Sequence, residues 1–199
     1  MLVGLMFMEP EDIFYSQLAK SIQAWLWVES EVYFLYVAIM QGANQHLVSV
    51  TFNHIQSFDS KLRLLNSCFE LVLDGKSDEW KTWKLLYPRA ETLNKKRNKI
   101  VHEPAILSVK GGQTSIAISP SHFNSLALVK GKTTHKGPVI TPTYKPSGVR
   151  VLEDHTLDLL KLHELEKTFK DFSRELREFR EGVAPLLSKS LKQSSEPPA

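Results

Sequence analysis

Residues 10–40, PEDIFYSQLAKSIQAWLWVESEVYFLYVAIM, carry the pattern that decides the fold. Pro10, Glu11 and Asp12 suit a first helical turn: proline lacks a donor that would go unpaired there, and acids favour the positive end of a helix. Leu18, Ile22, Trp25, Glu29, Val32, Tyr36 and Ile39 then recur at alternating spacings of four and three, which is one helical face. Gly42 stops the run. A helix of about 30 residues spans roughly 45 Å, which predicts a bundle rather than an α/β sandwich.

Downstream, Ile55, Phe58, Leu62, Leu65, Phe69 and Val72 repeat the pattern, and Asp74-Gly75 ends it. Ser77 is a good N-cap for a third helix, with Asp78 and Glu79 in its first turn. Pro88 removes one backbone donor and biases Tyr87 away from helical geometry, so it kinks or divides that helix. Ala90, Leu93, Arg97, Ile100 and Val101 resume the period before Pro104. A last helix follows from Leu165, Phe169, Phe172, Leu176, Phe179 and Val183, with Glu166/Lys170 and Arg174/Glu178 four apart on its exposed flank and Gly182 near its end. Residues 188–199, SKSLKQSSEPPA, read as a disordered tail. The expectation is all-α: one domain, residues 1–187, an antiparallel bundle of four main helices with a β-hairpin and loop insertion before the last.

That insertion, residues 105–152, has no helical period. Ile106–Val109 and Thr114–Ile118 flank Gly111-Gly112 as in a β-hairpin, and Gly131, Gly137, Pro138, Pro142, Pro146 and Gly148 mark a loop-rich run. It holds six basic residues (Lys110, Lys130, Lys132, Lys136, Lys145, Arg150) and no acid. The formal net charge of +3 therefore conceals a basic insert on a mildly acidic remainder, 19 Lys plus Arg against 22 Asp plus Glu. The insert reads equally as a solvated loop or a nucleic-acid contact.

Composition narrows the classes. The single cysteine, Cys68, excludes an internal disulfide framework and a multi-thiolate zinc site, which favours a reducing compartment. The apolar start, MLVGLMFM, lacks the basic flank of a secretory signal. Glu29, Ser30 and Glu31 interrupt the most apolar stretch, so a membrane span is not expected. A cytoplasmic protein without a metal or other cofactor is the expectation.

The chemistry-bearing window is residues 94–104, NKKRNKIVHEP. At about 100° per residue, Leu86, Ala90, Leu93, Arg97 and Ile100 share one face, so Arg97 interrupts an apolar stripe. A buried guanidinium needs a carboxylate, a wet cleft or a phosphate. Glu29 interrupts the apolar seam of the first helix in the same way, and the two are expected to face one another. Asn98 and His102 lie four apart on one flank. Histidine is the side chain that most readily gives and takes protons near neutral pH. Arginine neutralises charge building on non-bridging phosphate oxygens, and Lys95, Lys96 and Lys99 would hold a nucleic-acid backbone. The set suits phosphodiester cleavage without metal. Singly, each residue has an ordinary structural reading: a helix-end cap for His102, an ion pair for Arg97 and a solvated face for the lysines.

Arg97-Asn98-Lys99-Ile100-Val101-His102 resembles the R-x-x-x-x-H signature of the HEPN superfamily, including the polar residue often found after the arginine. The likeness covers the helical parts, roughly residues 10–104 and 153–187. It implies an all-α homodimer in which two motif copies form one ribonuclease site, with Arg97, His102 and Asn98 catalytic; Glu29, as the expected partner of Arg97, would support them. It also implies RNA as substrate and the setting of a toxin or defence effector restrained by an antitoxin or regulatory protein. HEPN proteins that partner a nucleotidyltransferase often carry a tyrosine two residues after the histidine. Pro104 stands there in this chain, which removes support for that mode of control. The alternatives are a non-catalytic dimerisation or adaptor bundle and a nucleotide-binding sensor.

Overall fold

The acidic first turn at Glu11 and Asp12 opens helix α1, Pro10–Ile39, in a computed structural model that describes residues 10–103, 105–110, 113–118 and 157–194. Gly42, at φ 90°, takes the left-handed turn out of α1 that side chains disfavour. Asn44 then caps a short helix α2, Gln45–His54, its side chain accepting from the amides of His46 and Leu47. Helix α3, Phe58–Val72, begins at its own cap, Ser57, whose hydroxyl accepts from Ser60 N–H. The period read from Ile55 to Val72 therefore spans a helix boundary: Ile55 closes α2, and Val72 is exposed.

Ser77 caps helix α4, Asp78–His102, as predicted, accepting from Trp80 N–H at 3.1 Å. Pro88 does not divide this helix. It lies on the exposed face, and Thr92 Oγ1 donates to its carbonyl at 2.9 Å. Strands β1, Ala105–Lys110, and β2, Gln113–Ile118, pair antiparallel from Ala105↔Ile118 to Lys110↔Gln113. The expected turn at Gly111-Gly112 and the loop from 119 to 152 lie outside the described residues. Ile118 and Leu157 exchange two backbone hydrogen bonds of 2.9 Å, which bring the chain back to helix α5, Leu159–Ser194. This helix runs through Gly182 and Pro185 to Ser194, so any tail begins later than residue 188.

The architecture is a helical bundle in which α1 packs against every other helix and against β2. All six apolar residues predicted for the last helix are buried, on the helix that packs most extensively against α1. Trp25 lies edge-on to Phe58 and Phe169, with ring centres 4.7 and 5.1 Å away, and joins α1, α3 and α5 in one core. The α1–α5 seam also encloses polar groups. Glu31, only 4% exposed, accepts from Arg177 Nε at 3.0 Å and Arg180 Nε at 3.1 Å. Glu166, expected on the exposed flank, is buried between Lys170 and Gln17, whose Nε2 donates to it at 2.6 Å. Arg174 pairs with Asp171 at 2.7 Å rather than with Glu178. No helix among the described residues is long and apolar enough to cross a membrane.

Candidate active site

The end of α4 faces the beginning of α3 across a cleft of about 340 Å³. Three elements build its walls: α1 supplies Glu29; the α2–α3 junction and first turns of α3 supply Gln56, Ser57, Phe58, Asp59 and Lys61; α4 supplies Asn94, Arg97, Asn98 and His102. The walls are polar because each helix turns its apolar stripe past the cleft. Leu93 and Ile100 are buried in the core, while Arg97, on the same stripe, reaches the cleft edge.

Arg97 and Glu29 do meet. Arg97 Nη2 lies 3.7 Å from Glu29 Oε1, and both side chains are 28% exposed. Arg97 Nη1 also donates to Asn98 Oδ1 at 3.1 Å. Glu29 is held from behind by Trp25 Nε1, which donates to the same carboxylate oxygen, so the aromatic core positions the carboxylate that the arginine meets. A partly exposed pair at this distance is a weak restraint, and Arg97 can be drawn away by a better-placed anion. His102 occupies the last turn of α4, exposed and on the cleft wall.

Arg97, Asn98, His102 and Glu29 thus share one cavity, whereas Lys95, Lys96 and Lys99 do not line it. The cleft's lysine is Lys61, whose ammonium sits 5.1 Å from the centre of the Phe52 ring. The α4 spacing already held a signal for Asn94, because Asn94, Asn98 and His102 recur every four residues. Lys61 and Asp59 had none, since only the packing of α3 on α4 brings them here. Asn94 Nδ2 donates to Asp59 Oδ1 at 2.7 Å.

Other groups offer less. Burial pushes the Cys68 thiol above its ordinary pKa, which disfavours the reactive thiolate. A larger groove of about 650 Å³ beside Phe34 and Pro185 contains Arg180 and Ser188, but Arg180 is committed to Glu31 and Ser188 to Gln41. Among the described residues, no group of three or more His, Cys, Asp or Glu is placed to hold a metal ion. No protein-family model, curated protein or solved structure matches this chain.

Proposed function

We propose that the chain is a metal-independent endoribonuclease of HEPN type, a homodimer acting as a toxin or defence effector restrained by a partner protein. The observation that carries this reading is that Arg97, Asn98 and His102 line one polar cleft. An arginine loosely held by a carboxylate can transfer to a phosphate, and an exposed histidine beside it can move a proton. In the composite site, one His102 takes the proton from the RNA 2′-hydroxyl as its oxygen bonds to phosphorus. The bond to the 5′-oxygen breaks, and His102 of the second copy, protonated, returns a proton to that oxygen. Both arginines hold the non-bridging oxygens. The products are a 2′,3′-cyclic phosphate and a 5′-hydroxyl.

The test is cleavage of total cellular RNA in EDTA by wild type beside Arg97→Ala and His102→Ala. Wild type alone is expected to cut, with each substitution costing about 10²–10⁴-fold. Cleavage that persists in His102→Ala, or that needs added divalent metal, overturns the reading. One observation favours a non-catalytic dimerisation or adaptor bundle instead: Arg97 already has two protein partners, Glu29 and Asn98. That reading expects no cleavage by any of the three proteins and a stability loss in Arg97→Ala.

A further inference from the structure

The cleft contains more recognition capacity than the Arg97–His102 pair uses. Asn94 is only 4% exposed, and its amide orientation is set by Asp59: reversing it would point a carbonyl at a carboxylate. The remaining atom, Oδ1, has no hydrogen-bond partner. An unpaired buried acceptor is costly to maintain, and this one belongs to a residue lining a cleft rather than to the closed core.

Beside it, the cleft carboxylates are engaged, Asp59 by Asn94 and Glu29 by Trp25 and Arg97. Lys61 has no ion pair among the described residues; its ammonium rests on an aromatic face. The cleft therefore joins an available cation to an acceptor awaiting a donor. A nucleotide supplies the complement, a phosphate next to a hydroxyl or amino group. Along α4, Asn94 lies three residues from Arg97 and eight from His102, about 4.5 and 12 Å of helix rise. A ligand at Asn94 is thus adjacent to the reacting phosphate rather than on it.

We propose that Lys61 and Asn94 form a subsite for the nucleotide next to the scissile phosphate. Lys61 binds its phosphate, and Asn94 Oδ1 accepts a hydrogen bond from a donor on its nucleoside. Less than 1 Å² of that oxygen meets solvent, so binding requires a neighbouring side chain to shift. This inference rests on the ribonuclease reading, and it makes Asn94 a specificity-determining residue.

The test uses the full chain with Lys61→Met and Asn94→Leu, and reads binding of fluorescein-labelled rU10, dU10, rA10 and rC10 by anisotropy, separately from cleavage in EDTA. Lys61→Met should weaken rU10 binding about 3- to 10-fold and lower the salt slope by about 0.7. If the donor is the ribose hydroxyl, wild type should prefer rU10 to dU10 and Asn94→Leu should lose that preference. If the donor is on the base, Asn94→Leu should instead change the ranking of the three RNA homopolymers.

Unchanged affinity and salt slope in Lys61→Met overturn the subsite, as do unaltered preferences in a folded Asn94→Leu. Helical circular dichroism checks the fold, and the Lys61 arm stands even if Asn94→Leu fails it. Variant-dependent binding without any cutting refutes the ribonuclease reading and leaves the subsite. Cutting with unaltered binding in both variants refutes the subsite alone.

Discussion

The α1–α5 seam and the α3–α4 cleft both enclose charged and polar side chains, but they settle them differently. In the seam, Glu31 has two arginines, Glu166 has Lys170 and Gln17, and Ser21 Oγ donates to Leu162 O at 3.0 Å. Hydrogen-bonding capacity there is spent inside the protein. In the cleft, Arg97 shares a long, half-open contact with Glu29, and Asn94 Oδ1 has no partner. Saturated polar groups lock two helices in register, whereas unsaturated ones leave free energy for a ligand to recover. The difference separates a region whose polar groups satisfy one another from one that leaves a buried acceptor and a loosely paired arginine at a cleft.

Substitutions in the two regions should separate in the same way. Phe169→Ala, in the fully buried middle of the seam, is expected to cost about 3–5 kcal/mol, measured by urea unfolding. A loss below 1 kcal/mol would mean that the seam is not the stabilising region. Glu31→Ala removes the shared carboxylate of the half-exposed Arg177 and the more enclosed Arg180, and with solvent screening the exposed guanidinium it should cost about 1–1.5 kcal/mol by the same measurement.

Glu166→Gln is a smaller change with a pH signature. Hydrogen bonds from Lys170 and then Gln17 hold the Glu166 pKa below its ordinary value of 4.5. A lowered folded-state pKa stabilises the native state fully above the unfolded value, and the contribution disappears as pH falls through the folded one. Glu166→Gln should therefore lose about 1 kcal/mol at pH 7 and begin to converge on wild type as pH falls below 4.5, fully so only below the lowered folded-state value, read as melting temperature against pH. A constant gap across that range would contradict the assignment. The smallest stability effect is expected in the cleft, where Glu29→Gln should shift unfolding by about 0.5 kcal/mol or less. On the proposed ribonuclease reading, the same change should tighten RNA binding, because Arg97 no longer has a carboxylate to leave. Weaker binding would show instead that Glu29 is needed to aim the arginine.

Much of the seam and the motif was legible in sequence because both rest on local periodicity. The six apolar positions from Leu165 to Val183 gave α5, and Ser77 gave the start of α4. Glu29 and Arg97 could be paired at a distance because each broke an apolar stripe where an unpaired charge is costly. Helix α2 was missed because it is 10 residues long and buries only Val48 and Phe52, too few to establish a period. Pro88 was over-read as a break, although its exposed position lets the helix continue around one missing donor. Glu166 looked like a solvated acid because its partner on the opposite helix, Gln17, lies 149 residues away in sequence. Lys61 was illegible for the same reason: nothing in its own neighbourhood distinguishes it from a surface lysine.

The paired backbone hydrogen bonds between Ile118 and Leu157 close the connection between β2 and α5 at its base. The two ends of the connection are thereby fixed next to each other. Doubling the number of residues between them adds only about 0.6 kcal/mol of loop-closure cost. Pinned in this way, the junction makes a change in the length of the segment between Ile118 and Leu157 a small perturbation as far as closing its ends is concerned. Five of the six positive charges counted between 105 and 152 lie between these two ends, the sixth, Lys110, being in β1.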